Sequence, residues 1–210
     1  MKVERAERRE KEFNRRRADI LGQAEKIFAA KGFYGTTVAE IAEASGYAVG
    51  TIYHFFEGKE ALFNAMITEK METMYGQIRS AADKEKDIRG KIRALVEAHF
   101  HFVEKNTDFC TIFIRRESTA FSEGDNALKE RVVANYLAHI EYLDALMRAG
   151  IAAGCLREMP SRALAFALAG MINSFVLSWM YAPGGEALSS KAESLLDIYL
   201  EGVAEGRGNS

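Results

Sequence analysis

Side chains able to donate to phosphates or to touch base edges are gathered in one short stretch of this chain. Thr36, Thr37, Tyr47, Thr51, Tyr53, His54 and Lys59 all fall within residues 36–59. Hydroxyl, phenol, imidazole and ammonium groups hydrogen-bond to phosphate oxygens, and a threonine can reach a base edge or a thymine methyl. Ala48, Val49 and Gly50 stand among them, and Gly50 lets a backbone approach a duplex closely. The chemistry on offer is recognition, not bond making. No G-x-S-x-G, H-E-x-x-H or phosphate-binding glycine loop occurs, so no enzymatic activity is expected.

Helices must position these residues. Ile20, Leu21, Ala24, Ile27 and Phe28 recur at helical spacing and predict a helix over residues 18–30, stopped by Gly32. Thr36 or Thr37 opens a second helix over 38–45, with Val38, Ile41 and Ala42 inward. Gly46 breaks it and supplies the positive φ that a tight turn often requires. A third short helix over 49–55 turns Ile52 and Phe56 inward. Val49, Gly50, Thr51, Tyr53 and His54 stay outward, and none is acidic. Two short helices joined this tightly form a helix-turn-helix layout. Gly58 separates them from a fourth helix near Lys59, carrying Leu62, Phe63, Met66 and Ile67.

The remainder also reads as helices, over 88–104 and 109–121, then from a loop at 122–126 to residue 152, then 160–182 and 187–203. Gly154 and Pro183-Gly184-Gly185 are stops, and Pro160 suits a first helical turn. No strand pattern of useful length and no internal repeat appears. The expected fold is all-α, with about nine helices. The chain has 210 residues, 48% of them hydrophobic, so a sizeable core is possible and general disorder is excluded. Cys110 and Cys155 lie far apart and read as reduced thiols, not as a disulfide or a metal pair.

Charge is uneven. The net charge of −2 argues against coating nucleic acid by bulk charge. Residues 1–17, however, carry +4 and the remainder −6. The N-terminal run reads either as a solvated helix extension or as a basic arm that touches phosphates. It has no apolar core and so is not a secretory signal, and a cytoplasmic location is expected. Residues 163–182 contain no charge and meet the length rule for a membrane span. Asn173, Ser174 and Ser178, with no comparable second span, favour no membrane and a soluble helix between its own domain and a second subunit, the alternative being burial within a monomer. Ala165, Ala169, Ile172 and Val176, with Leu188, Leu195 and Tyr199 on the last helix, are the expected homodimer interface.

Phe28, Gly32, Phe33, Thr36-Thr37, Ile41-Ala42, Ala44, Gly46, Gly50-Thr51, Ile52-Tyr53, Phe56, Lys59-Glu60 and Leu62 together resemble the DNA-binding domain of the tetracycline-repressor (TetR) family. The match covers about residues 18–66. The resemblance implies a dimeric transcription regulator, most often a repressor, on a palindromic double-stranded DNA operator and released by a small-molecule effector. It implies that Thr37 and Lys59 contact phosphates, that Val49, Gly50 and Thr51 read bases, and that Tyr53 and His54 touch the groove edge. Thr36, Tyr47 and Ala48 complete the expected contact set. Three positions depart from the family: Ala48 replaces a small hydroxyl cap, Tyr47 a small aliphatic residue, and Phe55 a histidine or tyrosine.

The expected organisation is a charged arm over 1–16, a DNA-binding domain over 17–63, and a ligand-binding and dimerisation domain over 64–210. Phe102, Phe109, Phe113, Tyr136, Tyr142, Phe166, Phe175 and Trp179 are candidate effector contacts. Arg115 and Arg116 can hold an anionic ligand or pair with Glu97, Glu104 and Glu117 at the surface. His99, His101 and His139 invite a metal reading, but His99 and His101 are two apart and cannot share a helix face. No metal and no cofactor are expected.

Overall fold

The apolar stripes close into helices in the order the spacing predicts. The computed structural model describes residues 2–114, 126–182 and 184–203. Among these residues there are nine α-helices and no strand: α1 (Lys2–Lys31), α2 (Val38–Ser45), α3 (Val49–Phe55), α4 (Lys59–Ala82), α5 (Ile88–Lys105), α6 (Thr107–Ile114), α7 (Asn126–Ala152), α8 (Ser161–Tyr181) and α9 (Ala192–Val203). The last segment does not begin as α-helix, because a 3-10 turn, Leu188–Lys191, precedes α9. Arg115, Arg116, Glu117, the loop up to Asp125 and Pro183 lie outside the described residues.

The chain forms two compact units. One comprises Met1–Lys70 with Asp108–Lys129, and the other Met71–Thr107 with Glu130–Ser210. A cut at residue 63 is not what the packing follows. The apolar stripe of α4 runs on through Met66, Ile67, Met71, Met74 and Ile78, all buried, so no linker marks the change.

In the first unit, Ile20, Ala24 and Phe28 of α1 pack with Ile41, Ile52, Phe56, Leu62 and Phe63. Phe28 and Phe63 meet edge to face at 5.0 Å. Helix α1 extends some sixteen residues beyond its apolar stripe, so the arm is not a separate segment. Residues 1–17 contain good helix formers and neither Gly nor Pro. Glu12 and Arg16 add a pair one turn apart. Residues 5–16 are all exposed, as a solvated helix extension must be.

In the second unit, α5 buries Leu95, Val96, Phe100, Phe102 and Val103. It packs with α8, α9 and the 3-10 turn. The Tyr199 hydroxyl donates to the Leu164 carbonyl at 3.0 Å. Both cysteines are free, and in the first unit burial pushes the Cys110 thiol up to about 12.

The expected dimer face requires correction. Ala165, Ala169, Ile172, Val176, Leu188, Leu195 and Tyr199 are between 0 and 8% exposed within one chain, so they form the core of their own unit and cannot meet a partner. The outward face of α8 is the other one: Ala163, Phe166, Ala167, Gly170, Asn173, Ser174, Leu177 and Ser178. Beyond Arg162, at its first turn, both faces of this helix are uncharged, so helical spacing alone could not tell them apart. By length and hydropathy α8 could cross a membrane, but a third of that stretch is buried in the protein.

Candidate nucleic-acid interface

The start of α2 is set by local chemistry. Thr37, in extended backbone, caps the helix: the Glu40 amide donates to its hydroxyl oxygen at 3.2 Å, and its own amide donates to the Glu40 carboxylate at 2.8 Å. This reciprocal box leaves Thr37 exposed but already engaged. The Lys31 ammonium, followed by the two Thr37 bonds, holds the Glu40 carboxyl well below its usual range, at about 2. Thr36 does not belong to a DNA-contact set. It is 1% exposed, and its hydroxyl donates to the Gly32 carbonyl at 2.7 Å, so it ties the α1–α2 loop together from inside.

Gly46 ends α2 with φ 72° and ψ 24°. Its amide bonds the Glu43 carbonyl at 3.1 Å, and the Tyr47 amide bonds the Ala42 carbonyl at 2.9 Å. A Cβ at Gly46 would meet nothing within 4 Å, so the demand for glycine is conformational. Helix α3 starts at Ala48 without a side-chain cap, as its sequence requires. Ile52 and Phe56 anchor it. Val49, Gly50, Tyr53 and His54 project from one exposed face, and Thr51 is half-buried beside them. Gly50 has open space around it, leaving room for a close approach by another molecule's backbone. The Tyr47 hydroxyl donates to Asp19 at 3.2 Å, which fixes the phenol beside α1.

Lys59 has a different first task from the one its position suggested. Its ammonium donates to the Phe33 carbonyl at 2.8 Å and the Thr36 carbonyl at 2.9 Å, and lies 4.4 Å from the centre of the Phe33 ring. Two of its three donors therefore clamp the α1–α2 loop to the start of α4. Arg17 makes a comparable tie, donating to Glu69 at 2.6 Å with its guanidinium 5.1 Å from the Phe56 ring centre.

One part of this surface escaped the reading of the sequence. Phe13, a lone apolar residue in the charged run, sits 4.5 Å from Phe55 and 6.3 Å from His54, centre to centre. Beside that contact lies a groove of about 430 Å³ lined by Arg9, Glu12, Phe13, Arg16, Gly50, Thr51, His54 and Phe55. The extension of α1 thus runs alongside α3. The available signal was Phe13 lying seven residues before Ile20, continuing the α1 stripe by two turns. Phe55, which lacks a polar atom where the family has one, is the residue Phe13 packs against.

The aromatic residues expected around an effector are divided between the two units. Phe109 and Phe113, 6.0 Å apart, belong to the first unit. Phe166 is 42% exposed on the outward face of α8, with the Arg162 guanidinium 5.9 Å from its ring centre, so it does not line the interior. Phe102 is buried on α5, and Phe175 stacks on Phe100 at 6.2 Å. Trp179 donates to the Glu186 carbonyl at 3.1 Å. Tyr136 and Tyr142 fall with Tyr75 and Arg79 in a separate polar group of the second unit.

Comparison with known proteins agrees with this geometry. Residues 20–66 match the bacterial regulatory proteins of the tetR family, and residues 85–203 match a tetracyclin repressor-like C-terminal domain. The transcriptional repressor KstR2 of Rhodococcus jostii is 25% identical over 90% of this chain and 91% of its own. The fatty acid degradation regulator FadR of Bacillus halodurans superposes with a TM-score of 0.78 at 23% identity, over 89% of this chain and 95% of that one. Bacillus subtilis FadR, solved in complex with stearoyl-CoA, gives 0.75 at 20% identity, over 88% and 98%. With the C-terminal match spanning more than half its length and the helix-turn-helix in place, the chain belongs to the TetR family and is a DNA-binding transcriptional regulator.

Proposed function

We propose that this regulator is a cytoplasmic repressor that binds a palindromic operator as a homodimer and leaves it when a small molecule occupies the second unit. The observation that carries the DNA-reading part is the exposed face of α3. Val49 and Gly50, with half-buried Thr51, read base edges, and Tyr53 and His54 bond the groove rim. Exposed Thr37 at the start of α2, Tyr47 and the free third donor of Lys59 supply backbone contacts, with Ala48 at the entry to α3. Arg9 and Arg16 on the α1 extension add phosphate contacts beside α3, in place of the polar side chain missing at Phe55. The chain acts by binding and needs no cofactor.

The homodimer forms through the outward face of α8, where Ala167 and Gly170 permit close approach and Phe166 and Leu177 supply apolar area, with exposed Ile198 of α9 beside them. The effector reading is supported by the neighbour solved with stearoyl-CoA, an anionic head on a long apolar chain. The test is a gel-shift titration on the operator at several salt concentrations. Tyr53→Ala weakens binding at every concentration. Arg9→Ala with Arg16→Ala lowers the salt slope by about 0.9 per lost contact, or nearly four for the dimer. Wild-type affinity and slope in both variants would overturn the assignment.

A further inference from the structure

The second unit contains a polar cluster that its apolar core does not explain. Helix α4 contributes Tyr75 and Arg79, α5 His99, and α7 Tyr136, His139 and Tyr142. Tyr75 and His139 stack with centres 4.4 Å apart, and the Arg79 guanidinium carbon lies 5.6 Å from the centre of the Tyr142 ring. The Tyr142 hydroxyl donates to Asp83 at 2.8 Å. Arg79, Tyr136 and Tyr142 are half-buried, whereas His99 and His139 are only 8% and 3% exposed. The group therefore leads from the edge of the unit to its interior.

Three buried nitrogens in it have no hydrogen-bond partner: Nε of Arg79, Nδ1 of His99 and Nδ1 of His139. Leaving such groups unmet is costly, and native interiors rarely do so. The Arg79 nitrogen can only donate, and a neutral imidazole can donate from Nδ1 in one of its two tautomers. Burial holds both rings neutral, His99 down to about 4 and His139 to about 3, the latter lowered further by His99 and then Arg79. Tyr75 and Arg79 lie one turn apart on α4, as do His139 and Tyr142 on α7, so the Tyr75–His139 stack and the Arg79–Tyr142 contact bring Arg79 and His139 to the same place. On α5, His99 shares its face with buried Leu95, Val96 and Phe102. An anionic oxygen would meet Arg79 Nε and, with both imidazoles in the tautomer that carries hydrogen on Nδ1, His99 and His139 as well.

We propose that Arg79, His99 and His139 receive the oxyanion of an amphipathic effector, a carboxylate or a phosphate, while its apolar part lies against the neighbouring aromatic and aliphatic side chains. A guanidinium and two imidazoles carrying hydrogen on Nδ1 supply the donors, with half-buried Tyr136 and Tyr142 on the same helix as His139. This rests on reading the second unit as the effector domain, and it names the chemical class that the domain takes.

The experiment uses the full chain and three probes below their micelle concentrations: dodecanoate, dodecanoyl-CoA and dodecanol. Binding is followed by the fluorescence of Trp179, the single tryptophan, and by the nitrogen signals of His99 and His139. The expected result is that an acid probe binds, shifts both Nδ1 signals and binds at least tenfold more weakly to Arg79→Gln, while the alcohol does neither. Arg79 dependence for dodecanoate assigns a carboxylate, and for the CoA ester alone a phosphate. Circular dichroism and a cooperative thermal melt establish that Arg79→Gln is folded. Equal binding of acid and alcohol, wild-type affinity in Arg79→Gln, or no response to any probe overturns the site. Arg79-dependent binding that leaves operator affinity unchanged upholds the site and refutes release by this effector.

Discussion

Replacing Lys59 by methionine separates two roles for one ammonium group. The substitution keeps the apolar stem and removes the bonds to the Phe33 and Thr36 carbonyls and the contact with the Phe33 ring. Hydrogen bonds to charged groups contribute about 1.5–3 kcal/mol each, but this side chain is half-buried and water competes for the same carbonyls. About 1 kcal/mol per bond, with about 0.5 kcal/mol for the ring, gives a loss near 2–3 kcal/mol. With a urea m-value of about 2 kcal/mol/M, the unfolding midpoint of the full chain falls by about 1 M. If the third donor also reaches a phosphate, the salt slope of operator binding drops by about 0.9 per subunit. A large midpoint loss with an unchanged slope makes Lys59 solely a clamp. An unchanged midpoint in Lys59→Met would refute the reasoning, since the two short carbonyl bonds would then contribute nothing.

Gly46→Ala places a Cβ on a residue at φ 72° and costs about 1–2 kcal/mol through backbone strain alone, measured by the same urea titration. Leu177→Glu, at an exposed position on α8, yields a folded monomer in sedimentation equilibrium. Ala165→Glu, at a buried position, instead melts the second unit, as circular dichroism will report. Stability should also fall on acidification. His99 and His139 have folded-state values of about 4 and 3, below the usual 6.5 of an unfolded histidine. The unfolded chain therefore binds protons first. Stability is full above pH 6.5 and is lost as pH falls, down to about 4 for His99 and about 3 for His139, by up to about 1.4 kcal/mol per unit for each ring. His99→Phe with His139→Phe flattens that slope, and an undiminished slope in the double variant would show that other groups cause it.

Local chemistry determined much of this protein in advance. The bounds of α2 and α3 follow from Thr37, Gly46 and the apolar spacing of Ile41, Ile52 and Phe56, because caps, a left-handed glycine and a helical stripe act over a few residues. The outward face of α3 was legible for the same reason: one side of a short amphipathic helix is committed to the core. Where both faces of a helix carry the same kind of residue, spacing is silent. Helix α8 is uncharged all round after Arg162, so only packing against α5 and α9 decided that Ala165, Ala169, Ile172 and Val176 lie inside and Ala167, Gly170 and Leu177 outside. The α1 extension depended on Phe13 meeting Phe55 across 42 positions, and the Arg79, His99 and His139 cluster on three helices coming together. Such contacts are set by tertiary geometry, which single-residue preferences and helical periods do not contain.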